Sequence, residues 1–594
     1  MRPMRISWSW LPLVILLAAT LLGAMTFDRE DWPGIRGDEA TYLMAAQSLA
    51  WDYDLEYSKQ DFDRFVGHWQ HQPEGLILQK HGSADGLTYG KPALYPLVLA
   101  PFLRLSPLRG PFIANALLLA LAGFAAAVSL RRSVGAGAPV LVAAFLFASV
   151  SFAHVFWVHA DLFLMSLVAL ALSLAYGGVQ QGGRFTEIYQ DVTSQSSRSF
   201  VLRWLWVGIL LGVVALSRPF YGTLLLPAAL AVPAVRRRQG LLALTLGAGA
   251  LVLAASAINF SVRGTWSSYG GERQGFYSYT GFPEVDLPAD RWQDDPQLRG
   301  ASWVRPGFWK MGFDLAQTGW NVAYSLVGRH VGILPYFLPF LIGFFAFRSG
   351  SHRWSLLLAV ALALSCFFYL RPFNFWGGGD SIGNRYFLPL YPAFWFLASG
   401  PRSSAWAAKA ALAVALVAGP FLWPLWSQPR AYPVDPDGGY HYVSALAERW
   451  LPYETTQSHL KPSGHEDLTQ NGLWVKPLTP QLTPLPPGSW LHLEGGAEAR
   501  LLLGFSRPLD TLLLDFRSPP PARLEVEGGD LGETAFLGDG TARFQIVLPK
   551  ERARHRMWWT NNDVFLYTLS FHLPPDDPSL KAGATFQFRP GTPK

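Results

Sequence analysis

The chain has 594 residues, half of them apolar and 14% aromatic, with only 15% charged and a mean hydropathy of +0.18. An ordinary soluble domain carries about 25% charged residues, so composition excludes a soluble enzyme, a disordered chain and a collagen. The single cysteine, Cys366, excludes an internal disulfide scaffold. The formal net charge of +6 is small for this length, and no basic domain of the nucleic-acid-binding kind is present.

Arg2 and Arg5 precede the apolar run from Trp8 to Phe27. It exceeds a usual signal-peptide core and lacks a small-x-small cleavage site, which favours an uncleaved first span. Further apolar runs lie at roughly 111–130, 137–155, 157–178, 203–219, 220–235, 239–260, 328–347, 354–370, 385–400 and 405–426. Their lengths suit a hydrocarbon core about 30 Å thick and predict about eleven spans. Short loops rich in Lys and Arg stay on the cytoplasmic side. With the N-terminus inside, those loops carry Arg131, Arg132, Arg184, Arg198, Arg203, Arg236, Arg237, Arg238, Arg348, Arg353, Arg402 and Lys409. The expected organisation is a multi-pass protein of the inner (plasma) membrane. Its membrane part is 1–426, with long outer loops at 28–110 and 261–328.

Within the first outer loop, Tyr42, Leu43, Ala46, Leu49 and Ala50 recur at helical spacing and predict a helix from Ala40 to Trp51. Ala93 to Leu105 is apolar but bounded or broken by Pro92, Pro96 and Pro101, and reads as a helix lying on the outer membrane surface. After Trp426 the pattern changes. Arg500–Phe505, Thr511–Phe516, Arg523–Glu527, Ala542–Leu548 and Val564–Leu573 are short, β-rich and separated by Pro, Gly and Asp. They predict an antiparallel β-sandwich over 486–594 on the periplasmic side, joined to the membrane part by a Pro- and Tyr-rich connecting segment at 427–485. No internal repeat is evident, unlike transporters built from duplicated halves.

The unusual polar residues fall in six places: Arg36 to Tyr42, Tyr89 to Pro96, His159-Ala160-Asp161, Ser217-Arg218-Pro219, Arg329-His330, and Gly377 to Tyr386. The expected topology puts all six on the outer face. Ionisable groups at membrane edges are costly and mark function, so the clusters suggest one polar cavity. Asp38 or Glu39 suits a general base on an acceptor hydroxyl, and equally suits capping of the helix that follows. Lys91, between Gly90 and Pro92, suits phosphate neutralisation or simple snorkelling at the interface. Arg385 is either an anion ligand or a partner of Asp380, and Arg218 is a weaker cation of the same kind. His159 and Asp161 point apart on a helix. Two ligands do not make a metal site, so they read as a structural or substrate-orienting pair. Most of the 24 tryptophans are interfacial anchors; Trp69, Trp266 and Trp376 are candidates for stacking on sugar rings. Signatures of nucleotide hydrolysis, zinc proteolysis, serine hydrolysis and dinucleotide binding are missing from any useful context.

The order of these motifs is itself informative. Gly37-Asp38-Glu39-Ala40-Thr41-Tyr42, then Gly90-Lys91-Pro92-Ala93-Leu94-Tyr95-Pro96, then a span ending in Arg131-Arg132, resembles GT-C-fold membrane glycosyltransferases. The pattern is similar to the protein O-mannosyltransferase and lipid A aminoarabinose transferase groups. His159-Ala160-Asp161 and Asn384-Arg385-Tyr386-Phe387-Leu388-Pro389 resemble the same superfamily, over roughly residues 8–400. The resemblance implies a polyprenyl-phosphate-linked sugar donor, inversion at the anomeric carbon, a glycan, lipid or protein acceptor, and no required cofactor or metal. Asp38 becomes the catalytic base with Glu39 orienting substrate beside it. Lys91, Arg385 and Arg218 become donor-phosphate contacts. Tyr42, His159, Asp161, Arg329, His330 and Asp380 become substrate-orienting residues. Two departures stand out: Ala93 replaces a second proline common in the family, and the C-terminal β-domain is not shared by all members. The alternatives are a polymerase or ligase of lipid-linked oligosaccharide, whose chemistry is nearly identical, and a transporter or flippase, which places ionisable groups near the bilayer midplane. A non-catalytic scaffold leaves the six clusters unexplained.

Overall fold

The computed structural model describes residues 8–28, 35, 37–70, 73, 75–80, 87–177, 196–267, 273–275, 315–328, 330–347, 353–370, 382–400, 402–427, 429, 444–452, 474–477, 482–485, 490–493, 498–505, 509–517, 525–527, 529–537, 541–548, 565–572 and 584–590. The chain divides into two compact units. The first takes Met1–Met311, Gly332–Leu370 and Gly383–Ala431; the second takes Gly312–Val331, Arg371–Ile382 and Tyr432–Lys594.

The first unit is helical. A 3-10 turn at Trp8–Trp10 leads into α1, Leu11–Thr26. There follow α2 (Asp38–Trp51), α3 (Lys59–Trp69), α4 (Leu94–Leu105), α5 (Gly110–Val134), α6 (Ala138–Phe147), α7 (Ala160–Tyr176) and α8 (Ser197–Ser217). Among the described residues, five helices are long and apolar enough to cross a membrane: Trp8–Thr26, α5, α8, Ala234–Ser261 and Ser404–Trp426. They coincide with five of the expected spans. The run 137–155 is bent by 62° between α6 and the 3-10 segment Val150–Phe156. Ser149 makes that break. Its hydroxyl donates to Phe145 O at 2.7 Å, and accepts from the Ser151 amide at 3.3 Å, taking backbone groups out of the helical ladder. The runs at 157–178 and 354–370 form 17-residue helices, and 220–235 holds only a 3-10 segment and Leu225–Ala231. Prolines break up the runs at 328–347 and 385–400. Ile333–Tyr336 and Phe340–Phe345 flank Pro339, while Leu388–Leu390 and Pro392–Trp395 contain Pro389 and Pro392. Length and composition thus support five crossings, or six counting the bent pair, where the sequence pattern predicts eleven.

The expected helix at Ala40–Trp51 begins two residues earlier, at Asp38, and the expected surface helix is α4 with Pro101 inside it. The two long loops come together in a three-stranded antiparallel sheet. β1 (Ile77–Lys80) pairs with β2 (Leu87–Tyr89) on one edge and with β3 (Arg273–Gly275) on the other. Gln79 Nε2 approaches Thr265 Oγ1 at 3.5 Å beside them. Trp69 is only 1% exposed and packs against Phe65, so its ring belongs to the core and not to a sugar platform. Trp266 is exposed and stacks on Phe260, and Trp376 lies outside the described residues.

The second unit contains helix Leu315–Val327 and the β-domain. A six-stranded sheet runs β10-β11-β8-β13-β6-β5 and a four-stranded sheet runs β4-β7-β12-β9, all antiparallel. In chain order these are Trp474–Pro477, Leu482–Leu485, Trp490–Leu493, Glu498–Phe505, Thr511–Arg517, Glu525–Glu527, Asp530–Leu537, Thr541–Val547, Phe565–His572 and Ala584–Pro590 for β4 to β13. Alternate residues of the two sheets (Leu512, Leu514, Phe516, Phe544 and Ile546 from one, Leu501, Leu503, Tyr567 and Leu569 from the other) form a single buried core. The domain is therefore a two-sheet sandwich, and it starts earlier than expected. β4 and β5 lie within the stretch 427–485 that composition marks as a connector. Their Pro477 and Pro484 disguise them, and both strands are sheet edges, where a missing N–H is tolerated.

Candidate active site

Asp38 is the first residue of α2. Gly37 precedes it with φ 62° and ψ −124°, a backbone conformation open to glycine and strained for other residues, so the Gly-Asp order is a geometric requirement. Thr41 fixes the same turn. Its hydroxyl donates to Gly37 O at 2.7 Å and accepts from the Ile77 amide at 3.0 Å, tying β1 to the helix start. Gly90 donates to Ile77 O at 2.8 Å, so β1 also holds the segment that delivers Lys91. Arg385 arrives from far along the chain. Gly383 has φ +79°, and a Cβ there would meet Val150 Cγ1 at 2.8 Å. Asn384 Oδ1 then accepts from the Tyr386 and Phe387 amides at 3.0 and 3.2 Å, a local turn that fixes Arg385.

These three supports converge. Lys91 Nζ lies 2.6 Å from Asp38 Oδ1, and Arg385 Nη2 donates to Asp38 Oδ2 at 3.0 Å. Each oxygen of one carboxylate therefore has its own cation, and the three side chains are 6–13% exposed. Burial opposes ionisation of Asp38, but Lys91, then Arg385 and His159, outweigh it and hold the carboxyl well below the usual carboxylate range. Lys91 also sits 5.9 Å from the centre of the Tyr42 ring, which packs edge-on against Tyr95. Glu39 turns away from this pair. Its Oε1 accepts from the Val158 amide at 2.7 Å, tying α2 to the extended segment before α7.

A second ion pair stands beside the first. Arg218 Nη1 lies 2.7 Å from Asp161 Oδ1, whose side chain is fully buried, and the Arg218 guanidinium lies 4.2 Å from the Tyr386 ring centre. Tyr221 OH donates to Tyr386 O at 2.7 Å. Tyr386 therefore joins the two pairs: Arg218 lies over its ring, and it follows Arg385 in sequence. Asp161 is engaged by Arg218, and His159 stacks on Trp157. Among the described residues no group of three or more His, Cys, Asp or Glu side chains is placed to hold a metal ion.

Of the residues that sequence alone singles out, Asp38, Glu39, Tyr42, Lys91, His159, Asp161, Arg218 and Arg385 all gather in the first unit. Arg385, for which the sequence leaves open an external anion or Asp380, donates to Asp38. Arg329 and Asp380 lie outside the described residues, and His330 falls in the second unit. Asn115 is a structural residue that the motifs do not include. Its amide donates to Val155 O and Trp157 O at 3.1 and 3.0 Å, and its Oδ1 accepts from Tyr95 OH at 3.0 Å. A lone Asn inside the apolar run 111–130 is the signal that marks it. Tyr221 carries none.

No family model matches the chain, and the search of curated proteins found no match. Among solved structures, the chain is similar to ArnT from Cupriavidus metallidurans bound to undecaprenyl phosphate. The identity is 16% with a TM-score of 0.38, covering 69% of this chain and 64% of that one. It is also similar to the archaeal oligosaccharyltransferase AglB from Archaeoglobus fulgidus, in complex with an inhibitory peptide and a dolichol-phosphate. There the identity is 12% with a TM-score of 0.36, covering 73% of this chain and 56% of that one. The chain thus spans less than two thirds of the length of either structure.

Proposed function

We propose that the protein is a membrane glycosyltransferase that moves a sugar from a polyprenyl-phosphate donor to an extracytoplasmic acceptor with inversion. The observation that carries this reading is the Asp38 carboxylate held between Lys91 and Arg385 at 2.6 and 3.0 Å. Transfer needs two things at one place: a base for the acceptor proton and fixed positive charge for the departing phosphate. The acceptor oxygen attacks the anomeric carbon as the bond from that carbon to the phosphate oxygen breaks. The electron pair leaves with the phosphate, and the acceptor proton passes to Asp38. Lys91 and Arg385 face the growing phosphate charge. Glu39, engaged with the Val158 amide, orients the helix that carries Asp38.

The position of the charges favours chemistry over transport. Asp38 and Asp161 stand in the first turns of α2 and α7, Arg218 caps the end of α8, Lys91 precedes α4, and Arg385 lies in a turn. None of these five is at the middle of a long apolar helix. The direct test is a mass-spectrometric comparison of cell-envelope glycans with and without the protein. A sugar lost from one defined acceptor supports the reading, and an unchanged glycan profile with an altered distribution of lipid-linked precursor across the membrane argues for transport instead.

A further inference from the structure

We infer, on the glycosyl-transfer reading above, that Asp38 is locked out of base chemistry while Lys91 and Arg385 hold its two oxygens, and that the donor phosphate unlocks it by taking those cations. The geometry is specific. Both carboxylate oxygens are committed to cations, one each, and none of the three side chains is more than 13% exposed. A carboxylate so neutralised binds a proton weakly and is a poor base, because the charged form is already satisfied.

The cations cannot follow the carboxylate elsewhere, because each is held by backbone. Arg385 sits between the constrained Gly383 and the Asn384 turn, and Lys91 follows Gly90, whose amide is bonded to Ile77 O. The neighbouring Arg218 is taken by Asp161. An arriving anion that takes the Lys91 and Arg385 nitrogens now on Asp38 competes with that carboxylate for them. A phosphodiester presents two oxygens with the spacing and charge to do so. Once it has them, Asp38 has lost its counter-ions and gained a negative neighbour, and both changes raise its affinity for a proton. The effect grows during the reaction. As the sugar's bond to phosphate breaks, the phosphate gains a second negative charge and draws the cations harder, while Asp38 is accepting the acceptor's proton. Donor must bind before an acceptor hydroxyl can be activated, so the base is available only on the loaded enzyme.

On this inference, removing the base tightens donor-phosphate binding. The experiment titrates undecaprenyl phosphate, without acceptor, into the full-length protein in lipid nanodiscs, comparing wild type with Asp38→Asn and Asp38→Ala. Asp61→Asn, in the outer loop, serves as the control. The expected result is roughly tenfold tighter binding by both Asp38 variants and no change in the control, a coupling typical of competition for charged partners. Equal or weaker binding by both folded Asp38 variants, with wild type still transferring sugar, overturns the lock and leaves the glycosyltransferase reading standing. Failure of wild type either to bind the lipid phosphate or to transfer sugar overturns both. Should the Asn variant misfold, the smaller Ala variant gives the same reading, and thermal unfolding identifies which protein is native.

Discussion

Arg385 donates to Asp38 Oδ2 at 3.0 Å across 347 residues of sequence. The contact joins the start of α2 to the turn after Gly383, and with Lys91 it turns three scattered motifs into one site. On the proposed reading, donor binding and base chemistry both rest on that meeting.

Lys91→Ala should weaken undecaprenyl phosphate binding by about tenfold, the cost of one charge-assisted hydrogen bond. Lys91→Arg should recover part of it, since charge is kept but the geometry changes. A binding titration on folded protein measures both, and unchanged affinity in Lys91→Ala removes this residue from the donor site.

Arg218→Gln should destabilise the fold by about 3–5 kcal/mol, because it leaves the fully buried Asp161 without its cation. Adding Asp161→Asn should restore most of the loss. Thermal unfolding of the two single variants and the double variant gives the coupling. Strict additivity would mean that the pair does not exist in the folded protein.

Gly37→Ala should lower transfer far more than it lowers stability. Its φ of 62° and ψ of −124° cost another residue about 1–3 kcal/mol, and relaxing them moves Asp38. The measurement is kcat beside an unfolding curve; equal proportional losses would make Gly37 purely structural.

Helix α3 carries its own pH dependence. Burial, the dominant influence, pushes the Asp61 carboxyl up to about 7, against hydrogen bonds from the Ser58 amide and hydroxyl. An unfolded aspartate titrates near 3.9, so the folded chain binds this proton more tightly. Its contribution to stability is complete below about pH 4, falls as pH rises toward 7 and is gone above that. Thermal unfolding should therefore occur at lower temperature at pH 8 than at pH 5, with the difference reduced in Asp61→Asn. An identical slope in that variant would assign the dependence to another group.

Much of the architecture is legible in sequence, for physical reasons that differ by element. α2 and α4 follow from periodicity and proline placement, and five strands of the sandwich follow from short β-branched and aromatic runs between turn residues. The runs at 328–347 and 385–400 form short helices instead of single long ones, because hydropathy counts apolar residues but not the prolines that break the backbone. β4 and β5 are hidden for the opposite reason: prolines that elsewhere signal a linker are harmless on sheet edges. At the site, residue types and order suggest Asp38, Lys91 and Arg385. Which cation meets which acid depends on tertiary packing: nothing in the sequence brings Arg385 to Asp38, 347 residues away. Glu39 serves a backbone amide that no pattern reveals, whereas Asn115 is marked only as a lone Asn in an apolar run.

Transfer from a labelled polyprenyl-phosphate sugar to envelope extract, by purified wild type and Asp38→Asn side by side, probes the catalytic claim at its root. Product from wild type, with a rate about 100- to 10,000-fold lower in the variant, is the predicted result. Equal product from both proteins, each folded, would contradict it.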